Sequence, residues 1–493
     1  MTTVAARAAP ARALTERSAT DLAHAVRTGA LSSRAVVEAH IERLQADRRR
    51  INAIAADRFD AALADADAAD RRVAEAAEAD DLPPLLGVPC TIKESIALAG
   101  MPNCAGLISR REHRATETAT TAQRLIEAGA IPLGVTNTSE LTMWIESANY
   151  VYGRTRNAYD PARVAGGSSG GEGAAVGSGG SPVGLGSDIG GSIRLPAFFN
   201  GVFGHKATSG LVPNTGQFPN TAGDAASMLS IGPLTRRAED LMPVLRIIAG
   251  PDGIDKRCRA VKLGDPAEVA LDGLDVVLSE RMSVRPPSRD LRLARERAAA
   301  VLEAAGARVR RVALRSLRRA LELYLAALQE GAGTTTRTMI EDEAEVTAKL
   351  ALHRIGYGAF RRQGPHTVPL AILLGAEALF GHMPDRRTRR LLAAGRALTQ
   401  ELEAVIGQGV LLHPPHSRVA PRHGKTVGRP WVITPTAIFN LAGVPVTQIP
   451  LGLDDDGIPL GVQVAAGRER DHVAIAVALA LERSLGGWLP PRA

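Results

Sequence analysis

Aromatic residues are scarce in this chain, and so are long apolar runs. Phe, Trp and Tyr together make up 3% of 493 residues, which leaves few side chains on which nucleic acid bases could stack. The formal charge of +7 comes from basic residues dispersed among acids rather than from a basic block. No apolar stretch approaches the roughly 18 residues typical of a membrane-spanning helix. We therefore expect neither nucleic acid binding nor a transmembrane segment.

Cysteine is also rare, with Cys90, Cys104 and Cys258 well separated along the chain. An odd number without a close pair predicts neither a disulfide framework nor a zinc site. The histidines between His413 and His423 lie among prolines and away from any acidic cluster, which favours a plain loop over a metal site. The N-terminal segment lacks the apolar core of a signal peptide. These features predict a cytoplasmic protein that uses no metal or cofactor.

Lysine is scarce as well, with six lysines against 53 arginines. Lys93 lies in the apolar segment GVPCTIKESI, which indicates a buried strand with the lysine at its end. Burial can lower a lysine pKa from about 10.4 toward roughly 7–8, so that the amine becomes a base near neutral pH. Arginine cannot do this, because it stays protonated. Lys93 is therefore a candidate general base, with a strand-end lysine that extends to solvent as the alternative.

The more abundant patterns indicate an α/β enzyme. Hydrophobic residues make up 45% of the chain, enough for a large core. The segment TAQRLIEAGAIPLGVTNTSEL predicts a helix, a stop at Gly129 and a strand from Ile131 to Val135. A strand, a helix, Gly306 and a second strand follow in the same way from LDVVLSE onward. Alternating units of this kind predict a β-sheet covered by helices.

Residues 166–191 hold twelve glycines interleaved with serines. The segment contains neither of the phosphate-loop patterns G-x-x-x-x-G-K-[ST] and G-x-G-x-x-G. Around Ser192 the sequence is GGSIR, so Arg194 stands where the nucleophile elbow G-x-S-x-G needs glycine. Apolar residues such as Val183 and Leu185 argue against a flexible linker. The remaining interpretation is a loop whose amides face a developing negative charge, beside a serine that needs a base.

Three blocks of the chain resemble the amidase signature enzymes, and fatty acid amide hydrolases among them: GVPCTIKES, GGSSGGEGAAVGSGGSPVGLGSDIGGSIRLPAFFNGVFGHK and NLAGVPVTQIPLGLDDDGIPLGVQ. The resemblance implies a single α/β domain over residues 15–488, with a large mixed central sheet covered by helices on both faces. Within that domain, the core signature spans 85–210 and a variable helical substrate-pocket region spans about 315–405. Residues 1–14 are expected to form a flexible N-terminus.

The resemblance also implies a serine–cis-serine–lysine triad. Ser192 would be the acylated nucleophile, Ser168 the bridging serine behind a cis peptide bond, and Lys93 the terminal base. The 24-residue spacing of the two serines agrees with the family. The oxyanion hole would consist of four backbone amides, those of Ile189, Gly190, Gly191 and Ser192.

Five further residues receive roles from the resemblance. Asp188 and Arg194 would pair and hold the oxyanion loop, with a solvated surface ion pair as the alternative. Ser169 would hydrogen-bond to the serine–lysine relay. Thr142 and Met143 would lie near the substrate channel, although core packing fits the same pattern.

The expected activity is hydrolysis of a carboxylic amide C–N bond through an acyl-enzyme, on apolar N-acyl or aryl amides. Carbamate or ester hydrolysis at the same site is the alternative chemistry. A component of the glutamine amidotransferase that acts on misacylated transfer RNA is a rival that would need partner subunits, and a non-catalytic binding protein is another. The expected partner is a small-molecule substrate, and the chain is expected to be a monomer or homodimer.

The apolar segment HTVPLAILLGAEALF, residues 366–380, could line an acyl pocket, rest on a membrane surface or form a buried helix. If it binds long acyl chains, kcat/KM depends strongly on acyl length, and Leu373→Asp erases that dependence because a charge replaces an apolar wall. Initial rates on a series of N-acyl amides of increasing length measure this. A flat chain-length profile of the wild-type enzyme contradicts the pocket role.

Overall fold

A mixed sheet of eleven strands forms the centre of the molecule, with helices packed against it. The structure, a computed structural model, describes residues 14–220, 223–280, 285–331, 366–380 and 385–492. Its strands are β1 (Ile54–Asp57), β2 (Pro89–Lys93), β3 (Ile131–Thr136), β4 (Ala148–Asn149), β5 (Gly153–Arg154), β6 (Val183–Asp188), β7 (Phe203–Lys206), β8 (Ser230–Thr235), β9 (Asp275–Ser279), β10 (Arg308–Val312), β11 (Val410–His413), β12 (Val446–Leu453) and β13 (Pro459–Ala466). Strands β4 and β5 form a separate hairpin, and the others follow the order β1-β3-β2-β6-β8-β7-β12-β13-β11-β9-β10.

The helices in the described part of the chain alternate with these strands. They are α1 (Ala19–Arg27), α2 (Ser33–Ile51), α3 (Phe59–Glu75), α4 (Thr120–Glu127), α5 (Gly170–Gly177), α6 (Arg194–Phe199), α7 (Leu241–Ile248), α8 (Arg289–Ala304), α9 (Ala320–Gly331), α10 (Val368–Phe380), α11 (Asp385–Ile406), α12 (Thr434–Ala442) and α13 (Asp471–Leu485). The α/β class and the large mixed sheet predicted from the sequence are confirmed.

Helix α2 shows how local sequence sets an element. The side chain of Ser32 caps its first turn by accepting a hydrogen bond from the amide of Ala35. Val37 and Ile41, four residues apart, are buried on one face. The helix ends where Asn52 adopts a left-handed conformation with φ 55°.

Strands β2 and β6 position the site. They pair in parallel, and β2 also pairs in parallel with β3, so that β2 is buried along its whole length. Because the carboxyl ends of parallel strands meet at one edge of a sheet, Lys93 at the end of β2 and Asp188 at the end of β6 lie at the same edge. The loop that leaves β6 carries Ser192. In open α/β sheets this edge is where ligands bind.

Both helix-to-strand units predicted from the sequence are confirmed, as α4–β3 and as β9–α8–β10. Gly129 ends the first of these helices with φ 92°. In the region 315–405 the described segments are mainly helical, while residues 332–365 and 381–384 lie outside the described residues. The expected flexible N-terminus, 1–14, also lies outside them except for Leu14. No described helix combines the length and the apolar character needed to cross a bilayer.

Candidate active site

Lys93 is fully buried and contacts two serine hydroxyls. Its Nζ lies 2.7 Å from Oγ of Ser168 and 2.9 Å from Oγ of Ser187. Burial lowers the pKa of Lys93 to about 7, although Asp188 and Glu172 act in the opposite direction. A large fraction of the lysine is therefore an uncharged amine near neutral pH, with a serine hydroxyl in hydrogen-bonding contact.

Ser168 follows a cis peptide bond from Gly167. The hydroxyls of Thr138 and Ser147 both donate to its carbonyl oxygen, each at 2.9 Å. A side chain at Gly167 has no room, because an added Cβ would lie 2.5 Å from the carbonyl oxygen of Trp144. The chain around Ser168 is therefore held on two sides, with the Ser168 side chain directed at Lys93.

Ser192 lies on the loop between β6 and α6 and is partly exposed, whereas Lys93 and Ser168 are buried. The amide of Ser169 donates to the carbonyl oxygen of Ser192 at 3.2 Å, which brings the two serine-bearing loops together. No hydrogen bond joins the Ser192 hydroxyl to a residue within the described ranges. The three residues are thus ordered by depth, with Ser192 nearest to solvent.

The amides of residues 189–192 do not all have the same environment. The Gly191 amide donates to Oδ1 of Asp188 at 2.7 Å, so it already has an acceptor. The amides of Ile189, Gly190 and Ser192 have no acceptor among the described residues. The oxyanion hole expected from four amides is reduced to these three.

Asp188 and Arg194 form a fully buried pair rather than a surface one. Two nitrogens of Arg194 lie 3.0 Å from the two carboxylate oxygens of Asp188. Asn440 donates to the same carboxylate, and Gln463 accepts from Arg194. Burial alone raises the pKa of Asp188, but the charge and hydrogen bonds of Arg194 outweigh it and hold that pKa well below its usual range. The loop after β6 is therefore anchored by a satisfied ion pair.

The structure places the other expected residues less directly. Ser169 Oγ contacts the backbone of Ser187, at 3.3 Å from its oxygen and 3.4 Å from its nitrogen, and so meets the serine beside Lys93 through the main chain. Thr142 and Met143 are partly exposed. Met143 packs against an apolar cluster that includes Leu141 of its own segment. This cluster, the Leu107 cluster, consists of Leu107, Leu141, Leu370 and Leu374, with Met143 and Phe218 packed against it.

Two residues near Lys93 were not predicted from the sequence. Ser187 was one of many serines in the glycine-rich segment, and nothing in its local pattern distinguished it. Glu172 had a signal, since it is the single acid in residues 166–187. It is fully buried, accepts hydrogen bonds from the hydroxyls of Thr91 and Thr136 at 2.6 and 2.7 Å, and burial raises its pKa to about 8.

The three histidines of the segment 413–423 have separate partners. His413 contacts Oγ of Ser279, while His416 and His423 contact backbone carbonyl oxygens. Burial lowers the pKa of His413 to about 3 and that of His416 to about 4, so both rings are neutral. No described group of three or more His, Cys, Asp or Glu side chains could hold a metal ion.

This fold, with a buried lysine joined to a serine at the carboxyl edge of its sheet, is that of an amide-cleaving hydrolase. The family model Amidase matches residues 35–474, so the chain belongs to the amidase family. Fatty-acid amide hydrolase 2-A of Danio rerio is 40% identical over 96% of this chain and 90% of that protein. A glutamyl-tRNA(Gln) amidotransferase subunit of Deinococcus radiodurans is 34% identical, over 82% and 85%. A bacterial aryl acylamidase of the amidase signature family superposes with a TM-score of 0.78 at 26% identity, over 95% and 96%.

The buried ion pair allows a test of what anchors the loop. Arg194→Met leaves Asp188 as an uncompensated buried charge, so we expect the free energy of unfolding to fall by about 3–5 kcal/mol. Arg308→Met is the matched control, because Arg308 lies at the same 3.0 Å from Asp275 but on the surface; there we expect a loss of at most about 1 kcal/mol. Urea unfolding of both variants measures the difference. Equal losses would contradict the anchoring role.

Proposed function

We propose that the chain hydrolyses carboxylic amides through an acyl-enzyme on Ser192, with Ser168 as proton relay and Lys93 as base. The observation that carries the proposal is the 2.7 Å contact of the fully buried, low-pKa Lys93 amine with Ser168. A serine hydroxyl becomes a nucleophile only with a base within reach. Of the two serine loops, that of Ser192 is the one open to a substrate.

The proton and bond changes follow from this order. Ser192 passes its proton to Ser168 as Ser168 passes its own to neutral Lys93, and Ser192 Oγ bonds to the substrate carbonyl carbon. The amides of Ile189, Gly190 and Ser192 stabilise the resulting oxyanion, where each donor contributes about 3–4 kcal/mol. The C–N bond breaks as the relay returns the proton to the leaving amine. Water then attacks the ester by the same relay and regenerates Ser192.

Apolar N-acyl or aryl amides are the substrates we favour. Met143 and Phe218 pack in the Leu107 cluster, and Phe218 donates its amide to the carbonyl oxygen of Ser95, two residues beyond Lys93. The apolar surface of this cluster therefore lies close to the end of β2. The relatives whose names specify fatty-acid amides and aryl acylamides support the same class.

Two other activities fit the same triad. Carbamates and esters present the same carbonyl to Ser192, and a panel of anilides, N-acyl amines, carbamates and esters orders them by kcat/KM. The likeness to an amidotransferase subunit favours a role in transfer RNA amidation as the second candidate. Turnover of simple amides by this chain alone argues against that role, since such an amidotransferase would need partner chains.

The chain offers a matched pair of buried lysines for testing the base. Burial lowers the pKa of Lys206 to about 7 as well, but its Nζ donates to the carbonyl oxygen of Ala207 and not to a serine. We expect Lys93→Met to lose at least about 10³-fold in kcat and Lys206→Met to change it by less than roughly tenfold. Anilide turnover measures both. Equal losses in the two variants, with folding intact, would refute Lys93 as the base.

Covalent labelling identifies the nucleophile independently. A fluorophosphonate probe should attach to Ser192, and mass mapping of the labelled peptide should find it there. Lys93→Met should label much more slowly, because activation of Ser192 depends on the relay. Labelling of any other residue would overturn the assignment.

The pH dependence follows from the sign of the Lys93 shift. Only the neutral amine accepts a proton, so kcat/KM should rise with pH through about 7 and level off above it. Roughly one tenth of the plateau value is expected one pH unit below the pKa. Steady-state rates from pH 5.5 to 9 measure the profile, and circular dichroism over the same range controls for unfolding. A rate that falls across this range as pH rises contradicts a lysine base.

A further inference from the structure

The carbonyl oxygens of the loop after β6 are bound by two hydroxyl groups from distant parts of the chain. The hydroxyl of Tyr324 donates to the carbonyl oxygen of Ile189 at 3.1 Å, and the hydroxyl of Thr436 donates to that of Gly190 at 2.6 Å. Tyr324 lies on α9 and Thr436 on α12, more than a hundred residues after the loop. Neither residue contacts Lys93 or Ser168 in the described structure.

Tyr324 is placed as a fixed donor. Its side chain is 3% exposed and packs with Met228 and Ala437, and burial raises the pKa of its phenol, so the hydroxyl keeps its proton. A Cβ added at Gly190 would lie 2.8 Å from the Tyr324 hydroxyl. The loop therefore passes the ring at a distance that a glycine at this position allows.

Peptide planarity converts this contact into control of an amide. In a trans peptide unit the carbonyl oxygen of one residue and the N–H of the next point in opposite directions. Holding the Ile189 oxygen on the Tyr324 side therefore directs the Gly190 N–H away from it. In the same way, Thr436 holds the peptide unit whose N–H, that of Gly191, points at Asp188.

We propose that Tyr324 is a positioning residue for hydrolysis, which orients the Gly190 amide toward the oxyanion by binding the carbonyl oxygen of Ile189. The inference rests on the proposed function, because it assumes that Gly190 is an oxyanion donor. It assigns α9, which lies in the region of least family resemblance, a part in the chemical step. Tyr324 acts through the loop and touches neither substrate nor the relay.

The test compares Tyr324→Phe with Tyr159→Phe. Tyr159 is the matched control, since its hydroxyl also donates to a backbone carbonyl oxygen, that of Leu489 at 2.5 Å, away from the site. We expect Tyr324→Phe to lower kcat on an anilide roughly tenfold at unchanged KM, because the donor is misdirected only in the transition state. Tyr159→Phe should leave both constants within about twofold.

A trifluoromethyl ketone analogue of the anilide adds a readout that a purely structural role would not move. Ser192 adds to its carbonyl and forms a tetrahedral oxyanion, so its inhibition constant should rise for Tyr324→Phe by about the factor that kcat falls. Thermal unfolding of the variant checks that the fold is kept. The effects of Tyr324→Phe and Thr436→Val should depart from multiplicativity in the double variant, since both hydroxyls hold one loop.

Each outcome has one meaning. Unchanged kcat, or a loss in KM alone, overturns the positioning role, as does an equal loss in Tyr159→Phe. If Ser192→Ala retains activity, the proposed nucleophile is wrong and this inference is withdrawn with it. If Ser192→Ala is inactive while Tyr324→Phe matches the wild type, only the role of Tyr324 is rejected.

Discussion

The removal of the Lys93 amine from water is the constraint on which the rest of the site depends. An ammonium group at this position would lose its hydration without gaining a carboxylate partner, so burial favours the neutral amine. The one strongly acidic neighbour, Asp188, is bound to Arg194 at 3.0 Å, and that positive charge offsets the attraction that would otherwise restore the proton to Lys93. The hydrogen bonds left to the amine are those to neutral hydroxyls, which is what a relay requires.

Close packing of backbone against backbone makes this burial achievable. An added Cβ at Gly171 would lie 2.5 Å from main-chain atoms of Asn137, and one at Gly184 would lie 1.9 Å from the carboxylate of Glu172. These glycines let α5 lie directly on β2, β3 and β6. Water is excluded from the amine because the elements around it approach more closely than side chains would permit. The glycine abundance visible in the sequence is thus a property of packing around the lysine as much as of the oxyanion loop.

Local patterns in the sequence were sufficient for some of this architecture and not for the rest. The apolar run before Lys93 predicted a buried strand with the lysine at its end, and the structure has that strand, because such a run reports burial directly. The cis bond before Ser168 was expected from the resemblance alone. Ser187 and Tyr324 could not be predicted, since their roles depend on which strands and helices meet in three dimensions. The roles of Ser192 and of the three amides remain predictions supported by geometry.

The difference in depth between Lys93 and Ser192 bears on how such an enzyme would avoid inactivating itself. A neutral amine is itself a good nucleophile, and an acyl group transferred to it would form a stable amide that the enzyme could not easily cleave. In the proposed arrangement the acyl group is carried on the partly exposed serine, while the amine is buried behind Ser168. A hydroxyl between them transmits protons but blocks the approach of carbon. The bridging serine would therefore serve as a chemical insulator, which gives a reason for a relay of three residues where a serine and a lysine alone would have the necessary acid–base chemistry.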